Sequence, residues 1–210
     1  MEEEKVIGYH TTAIENVEDI LKKGFHMSPS DRGHWLGRGI YFFSDLYYAT
    51  EWGIIGVIKK ETNDFEEWQN KCEVLGAIID DEKYESIDLS SPIGYYIFME
   101  FMQLLKNTVS EEEYEVIINK GYAYIIKVLE NLEKIMNKKL LSKFDIVYAT
   151  YPKKIYEKVK SNKPGDFIIC VEKQICVKNR NAIQKIYVIK NNLEEIFNLV
   201  KRNRGVNNEK

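Results

Sequence analysis

The sequence predicts an α+β protein, with a helical block between two groups of strands. Three observations carry this. Short β-branched and aromatic runs lie near the start, at Val6–Thr12 and Ile40–Phe43, and similar runs return late, at Phe144–Ala149, Phe167–Val177 and Ile183–Ile189. Between them, from about 92 to 142, apolar residues recur at helical spacing instead. Strands, then helices, then strands is the order of an α+β fold, not of an alternating parallel one. A length of 210 residues allows one domain with a sizeable core, expected over 1–202 with residues 203–210 fraying.

Taken in order, Val6-Ile7-Gly8-Tyr9-His10 reads as a strand ending in a histidine. A helix should follow from Ala13 to Lys23: Thr12 and Glu15 have capping-box spacing, Ile14, Val17, Ile20 and Leu21 form an apolar stripe, and Gly24 stops it. His26 to Arg38 is polar and glycine-bearing, so it should be a loop, and one of this length is often functional. Ile40–Phe43 is a short buried strand, with Ser44 capping a helix that runs from Asp45 toward Ile58. Residues 60–71 are charged and partly helical, Val74–Ile79 is a strand, and Tyr84–Leu89 is extended.

Pro92 opens a helix whose apolar residues cover most of its faces, which predicts burial. A further helix follows Ser110-Glu111-Glu112-Glu113, and Ile125, Val128, Leu129, Leu132 and Ile135 keep the period through Tyr124–Lys138. After Phe144–Ala149 comes a basic linker near Lys153–Lys163. Phe167–Val177 and Ile183–Ile189 then read as paired strands joined by Lys178-Asn179-Arg180-Asn181, and Asn192 caps a last helix.

A net charge of −3 makes the whole chain no magnet for nucleic acid. The start, Met1-Glu2-Glu3-Glu4-Lys5, lacks the apolar core of a secretion signal, and no run reaches the length of a membrane span. Cys72, Cys170 and Cys176 are odd in number and lack metal-ligand spacing. These features predict a cytoplasmic protein with no metal and no membrane partner. Gly37-Arg38-Gly39 lacks the context of a dinucleotide fingerprint, and no Walker motif or nucleophile elbow is present.

What remains is Tyr9-His10-Thr11, Ile20-Leu21, Gly24-Phe25, Ser28 and Leu36-Gly37-Arg38-Gly39-Ile40-Tyr41-Phe42. Together these resemble the PARP-like (diphtheria-toxin-like) ADP-ribosyltransferase superfamily, and specifically its bacterial-type single-domain members. The resemblance is strong over residues 6–53, returns more weakly at 144–190, and says little about the middle. It implies an ADP-ribosyltransferase-like split β-sandwich, here with a helical insert near 92–142. It also implies an enzyme that consumes NAD as a substrate and passes ADP-ribose to a macromolecular acceptor, protein or nucleic acid, with release of nicotinamide. A role as toxin or in defence would bring a cognate antitoxin or immunity partner.

The resemblance also assigns roles. His10 would bond the adenosine ribose. The backbone of Thr11, where the family commonly has glycine, would grip the nicotinamide amide. Tyr41 would stack on the nicotinamide, with Tyr48 or Trp52 as the second ring. Arg38 either faces a phosphate beside Gly39 or is a solvated surface arginine. His34 and Trp35 are candidates for substrate contact in the covering loop. The family's third catalytic residue is a glutamate opening a late strand, and Gln174 stands there, with Glu172 two residues earlier on the same strand face. An amide without net charge disfavours polymerisation, so single-unit transfer is the expectation. An NAD glycohydrolase, a catalytically weak module that binds NAD or ADP-ribose, and a plain interaction protein acting through its helical block are the alternatives.

Overall fold

The computed structural model describes residues 6–27, 36–58, 64–120, 122–137, 139–152 and 171–205. Its strands are β1 (Val6–Ala13), β2 (Ile40–Phe43), β3 (Cys72–Ile79), β4 (Ser86–Asp88), β5 (Ile146–Pro152), β6 (Val171–Val177) and β7 (Ile183–Val188). They form one seven-stranded sheet in the order β4-β5-β6-β2-β1-β3-β7. Among the described residues only β4 and β5 pair in parallel, and every other pairing is antiparallel. The helices are α1 (Ile14–Lys23), α2 (Leu46–Trp52), α3 (Phe65–Gln69), α4 (Pro92–Thr108), α5 (Glu111–Asn119), α6 (Tyr122–Met136) and α7 (Leu193–Gly205). A π-helical turn, Gly53–Val57, continues α2. The architecture is therefore mixed α+β.

Period-two alternation divides the sheet's two faces. On one, Ile40, Phe42, Ile175, Val177, Leu75, Ala77 and Ile79 form a core with Ile20 of α1 and with Phe25. Each large apolar side chain buried here contributes about 1.5–3 kcal/mol. The other face carries two helical groups. Val147, Ala149 and Cys176 pack under α4 and α6, with Phe98, Leu105, Ile126 and Leu129. Tyr9, Phe43 and Val74 pack under α2, α3 and α7, with Ala49, Trp68 and Phe197.

Several local expectations are corrected. Thr12 does not cap α1. Strand β1 extends to Ala13, which pairs with Cys72, and the Ile14 N–H donates to Lys71 O, so the sheet takes the donor that a cap would have satisfied. Asp45, not Ser44, caps α2, its carboxylate accepting from Tyr47 N–H at 2.7 Å, while Ser44 N–H donates to Lys173 O.

The late strands do not form a hairpin. Both edges of β6 are taken by β2 and β5, and a 3₁₀ turn at Arg180–Ala182 carries the chain across to pair β7 with β3. Helix α4 is buried on one side only, through Phe98, Phe101, Met102 and Leu105; Ile93 and Tyr96 stand 73% and 71% exposed. Helix α7 runs to Gly205, past the point where fraying is expected. The basic linker at 153–163 and the stretch 167–170 lie outside the described residues.

Candidate functional site

The site is built where two strands part. Strand β1 pairs with β3 along its whole length, but with β2 through one register pair, Tyr9 with Phe43. Continuing that register would set Thr11 against Tyr41, and no such pair forms among the described residues. Ile189 N–H donates to Val74 O, so the backbone groups of Val74 face β7. The Thr11–Val74 pair is thus one without hydrogen bonds across β1 and β3, which turns the N–H and C=O of Thr11 toward β2 and the gap. Its side chain is buried on the helical side, with the hydroxyl donating to Ala49 O of α2.

His10 closes part of the gap. Its Nδ1 lies 2.7 Å from Tyr41 O; a carbonyl only accepts, so Nδ1 carries the proton. Nε2 of the neutral ring is then an acceptor. Burial holds the imidazole below its ordinary value, which keeps this neutral form at neutral pH. Phe25 and Phe42 fix the ring edge-on, with centroids at 4.9 and 5.9 Å. Alternation sets the His10 side chain on the Phe42 face and the Tyr41 side chain on the other, so the two flank the gap from opposite faces of the sheet.

Tyr41 is anchored through its phenol. The hydroxyl donates to Gly37 O at 2.6 Å and accepts from Leu36 N–H at 2.8 Å, and burial raises its pKa well above the ordinary tyrosine value. Gly37 is left-handed at φ 85, a conformation that L residues rarely adopt. Gly39 is pressed on β6: an added Cβ would stand 2.3 Å from Cys176 Sγ. Arg38, between them, is exposed.

The chain is 27% identical to an uncharacterized protein of Methanocaldococcus jannaschii, over 85% of this chain and 84% of that one. No protein-family model and no solved structure matches it.

On β6, Glu172, Gln174 and Cys176 share the Tyr41 face, because Gln174 is the register partner of Phe43 and Cys176 that of Tyr41. Gln174 Nε2 donates to Glu172 Oε1, so the amide oxygen of Gln174 points away from the carboxylate. Gln174 also sits on a seam. Its neighbour on one side, Phe43, packs with the α2, α3 and α7 cluster, and its neighbour on the other, Ala149, packs under α4 and α6. Trp52 is 48% exposed and tilts against Phe43 at 6.4 Å, which brings it to the same seam. Tyr48, one helical turn earlier, is buried and meets Tyr47 edge-on at 5.3 Å.

The structure therefore brings His10, Thr11 and Tyr41 to the gap, and Gln174, Glu172 and Trp52 to the adjoining seam. Arg38 and Gly39 lie on the turn that leads into β2. His34 and Trp35 lie outside the described residues. Sequence reasoning missed Glu130 of α6, whose Oε1 accepts from Arg38 N–H at 3.2 Å. The signal was a glutamate between Leu129 and Leu132 of the buried apolar stripe.

Proposed function

We propose that the protein is an NAD-dependent mono-ADP-ribosyltransferase of the PARP-like class, and that its sheet is the split β-sandwich of that class. The observation that carries this reading is the parting of β1 and β2 at His10, Thr11 and Tyr41, the positions at which the motif likeness assigns cofactor contacts. The groups fit the ligand. Thr11 turns one backbone donor and one acceptor to the gap, which match a primary carboxamide, and Nε2 of His10 is an acceptor, which matches a ribose hydroxyl.

NAD supplies a nicotinamide leaving group, which departs with the electrons of its bond to the ribose, and an electrophilic ribose carbon. The chain's residues hold and stabilise. Thr11 fixes the amide, Tyr41 offers a ring held rigid by its own hydroxyl, and the half-exposed Trp52 beside Phe43, in preference to the buried Tyr48, serves as the second ring. Gln174, its amide turned by Glu172, directs its carbonyl oxygen at a ribose hydroxyl; Glu172 adds the negative charge that opposes the positive charge developing on the ribose. An acceptor nucleophile then bonds to that carbon and gives up its proton to Glu172 or to water.

Incubating the pure protein and a cell extract with labelled NAD tests this. Transfer of one ADP-ribose unit to a protein or nucleic acid is expected. Adducts bearing several units would refute single transfer, and nicotinamide release without transfer would make the protein a glycohydrolase. Binding without turnover would make it a binding module, a reading favoured by the amide of Gln174 in place of a carboxylate. If NAD neither binds nor reacts, the assignment is wrong.

A further inference from the structure

We infer that Glu130, on the helical block, is a positioning residue that holds the Leu36–Gly39 turn in register with Tyr41; its effect on NAD rests on the function proposed above. The turn is fastened at two points. From below, the Tyr41 hydroxyl takes the carbonyl of Gly37 and the N–H of Leu36. From the helical side, Glu130 Oε1 takes the N–H of Arg38 at 3.2 Å. The approach of that carboxylate depends on a missing side chain: a Cβ on Gly37 would stand 2.0 Å from Glu130 Oε1 and 3.2 Å from Ile126 Cγ2, one turn earlier on α6.

The same oxygen lies 3.7 Å from Lys178 Nζ, just past the end of β6. The two side chains are 22% and 12% exposed, so the pair is largely out of water, where an acceptor left without its donor is costly. One carboxylate of the block thus ties together the turn before β2 and the end of the strand that carries Gln174. Arg38 keeps its side chain outward while its backbone is held from behind. Releasing the Arg38 N–H frees the turn, and the Tyr41 ring follows through its phenol. Ligand affinity should therefore change more than the chemical step.

Four proteins decide the matter: the parent, Glu130→Gln, Glu130→Ala, and the exchanged pair Glu130→Lys with Lys178→Glu. The glutamine variant keeps an oxygen for Arg38 N–H and loses the charge; the exchanged pair keeps opposite charges and loses that oxygen. Amide hydrogen exchange over residues 36–43 is one readout, and it needs no ligand. KM and kcat for NAD are the other.

Slow exchange at Arg38 and a KM within roughly threefold of the parent are expected for Glu130→Gln. Fast exchange and a KM raised about tenfold, with kcat changed less, are expected for Glu130→Ala and for the exchanged pair, a loss of the size of one charge-assisted hydrogen bond. If the exchanged pair restores slow exchange, or Glu130→Ala leaves it unchanged, Glu130 does not hold the turn. A parent protein that ignores NAD would refute the proposed function, while the exchange pattern would still decide the role of Glu130.

Discussion

Replacing Gly37 with alanine should destabilise the protein by two separable amounts. The first is backbone strain: holding an L residue at φ 85 costs about 1–2 kcal/mol. The second is displacement: the new Cβ would overlap Glu130 Oε1, so the carboxylate must leave Arg38 N–H. A hydrogen bond to a charged group is worth about 1.5–3 kcal/mol. Together these make roughly 2.5–5 kcal/mol, and for a chain of this size each kcal/mol moves Tm by about 2–4 °C. A fall of about 5–20 °C in thermal unfolding, followed by circular dichroism, is therefore expected for Gly37→Ala. In a Glu130→Ala background the displacement no longer occurs, and the same substitution should cost only about 1–2 kcal/mol. Equal losses in the two backgrounds, within about 0.5 kcal/mol, would show that the carboxylate and the glycine are not coupled.

Further tests bear on other parts of the molecule. Burial keeps the folded-state pKa of His10 below the ordinary 6.5, so on acidification the unfolded chain binds this proton first, and stability contributed by the neutral ring should decline as pH falls below about 6.5. His10→Asn, which can donate to Tyr41 O without titrating, should flatten that part of the pH–stability curve; an unchanged curve would exclude His10 as its source. Burial pushes the thiols of Cys72 and Cys176 up to about 12, so neither should react with a disulfide reagent at pH 8 until the protein is unfolded, as mass mapping would show. Glu133 Oε1 accepts from both Leu140 N–H and Ser142 N–H at 2.8 Å, and Glu133→Ala should cost about 2–4 kcal/mol, measured by urea unfolding. Ile93→Ser and Tyr96→Ser, on the exposed side of α4, should each change stability by less than about 0.5 kcal/mol; a larger loss would mean that this side is covered.

Local chemistry was legible in the sequence, and distant pairing was not. The strand at Ile40–Phe43 and the stop at Gly24 follow from residues a few positions apart, and both stand as read. The Thr12 and Glu15 spacing is a sound local signal, yet pairing of Ala13 with Cys72 overrides it, and that partner lies far along the chain. The hairpin expected at Lys178–Asn181 fails for the same reason: β6 and β7 are neighbours in sequence but take partners from β2, β5 and β3. Apolar residues around α4 give its period but do not tell which side meets the sheet. Among the site residues, the Glu172–Gln174 pairing follows from strand alternation, whereas Glu130, marked only by its place in the apolar stripe of α6, meets Arg38 across 92 positions, and the sequence does not name that partner.

The place of β6 in the sheet concentrates the entropic cost of folding in one long-range pairing. Strands β2, β1 and β3 are made early and can pair at once, and β4 with β5 can pair by itself. Strand β6, about four-fifths of the way along the chain, is among the described strands the one that joins the two groups, since its neighbours are β5 on one side and β2 on the other. Its pairing with β2 closes a loop of well over 100 residues, so loop-closure entropy comes due before the contacts that repay it. Until then the two part-sheets present raw edges, and neither holds both Tyr41 and Gln174. The seam beside the His10 gap therefore rests on the strand whose pairing with β2 spans most of the chain, and without β6 neither Gln174 nor Glu172 would be present beside that gap.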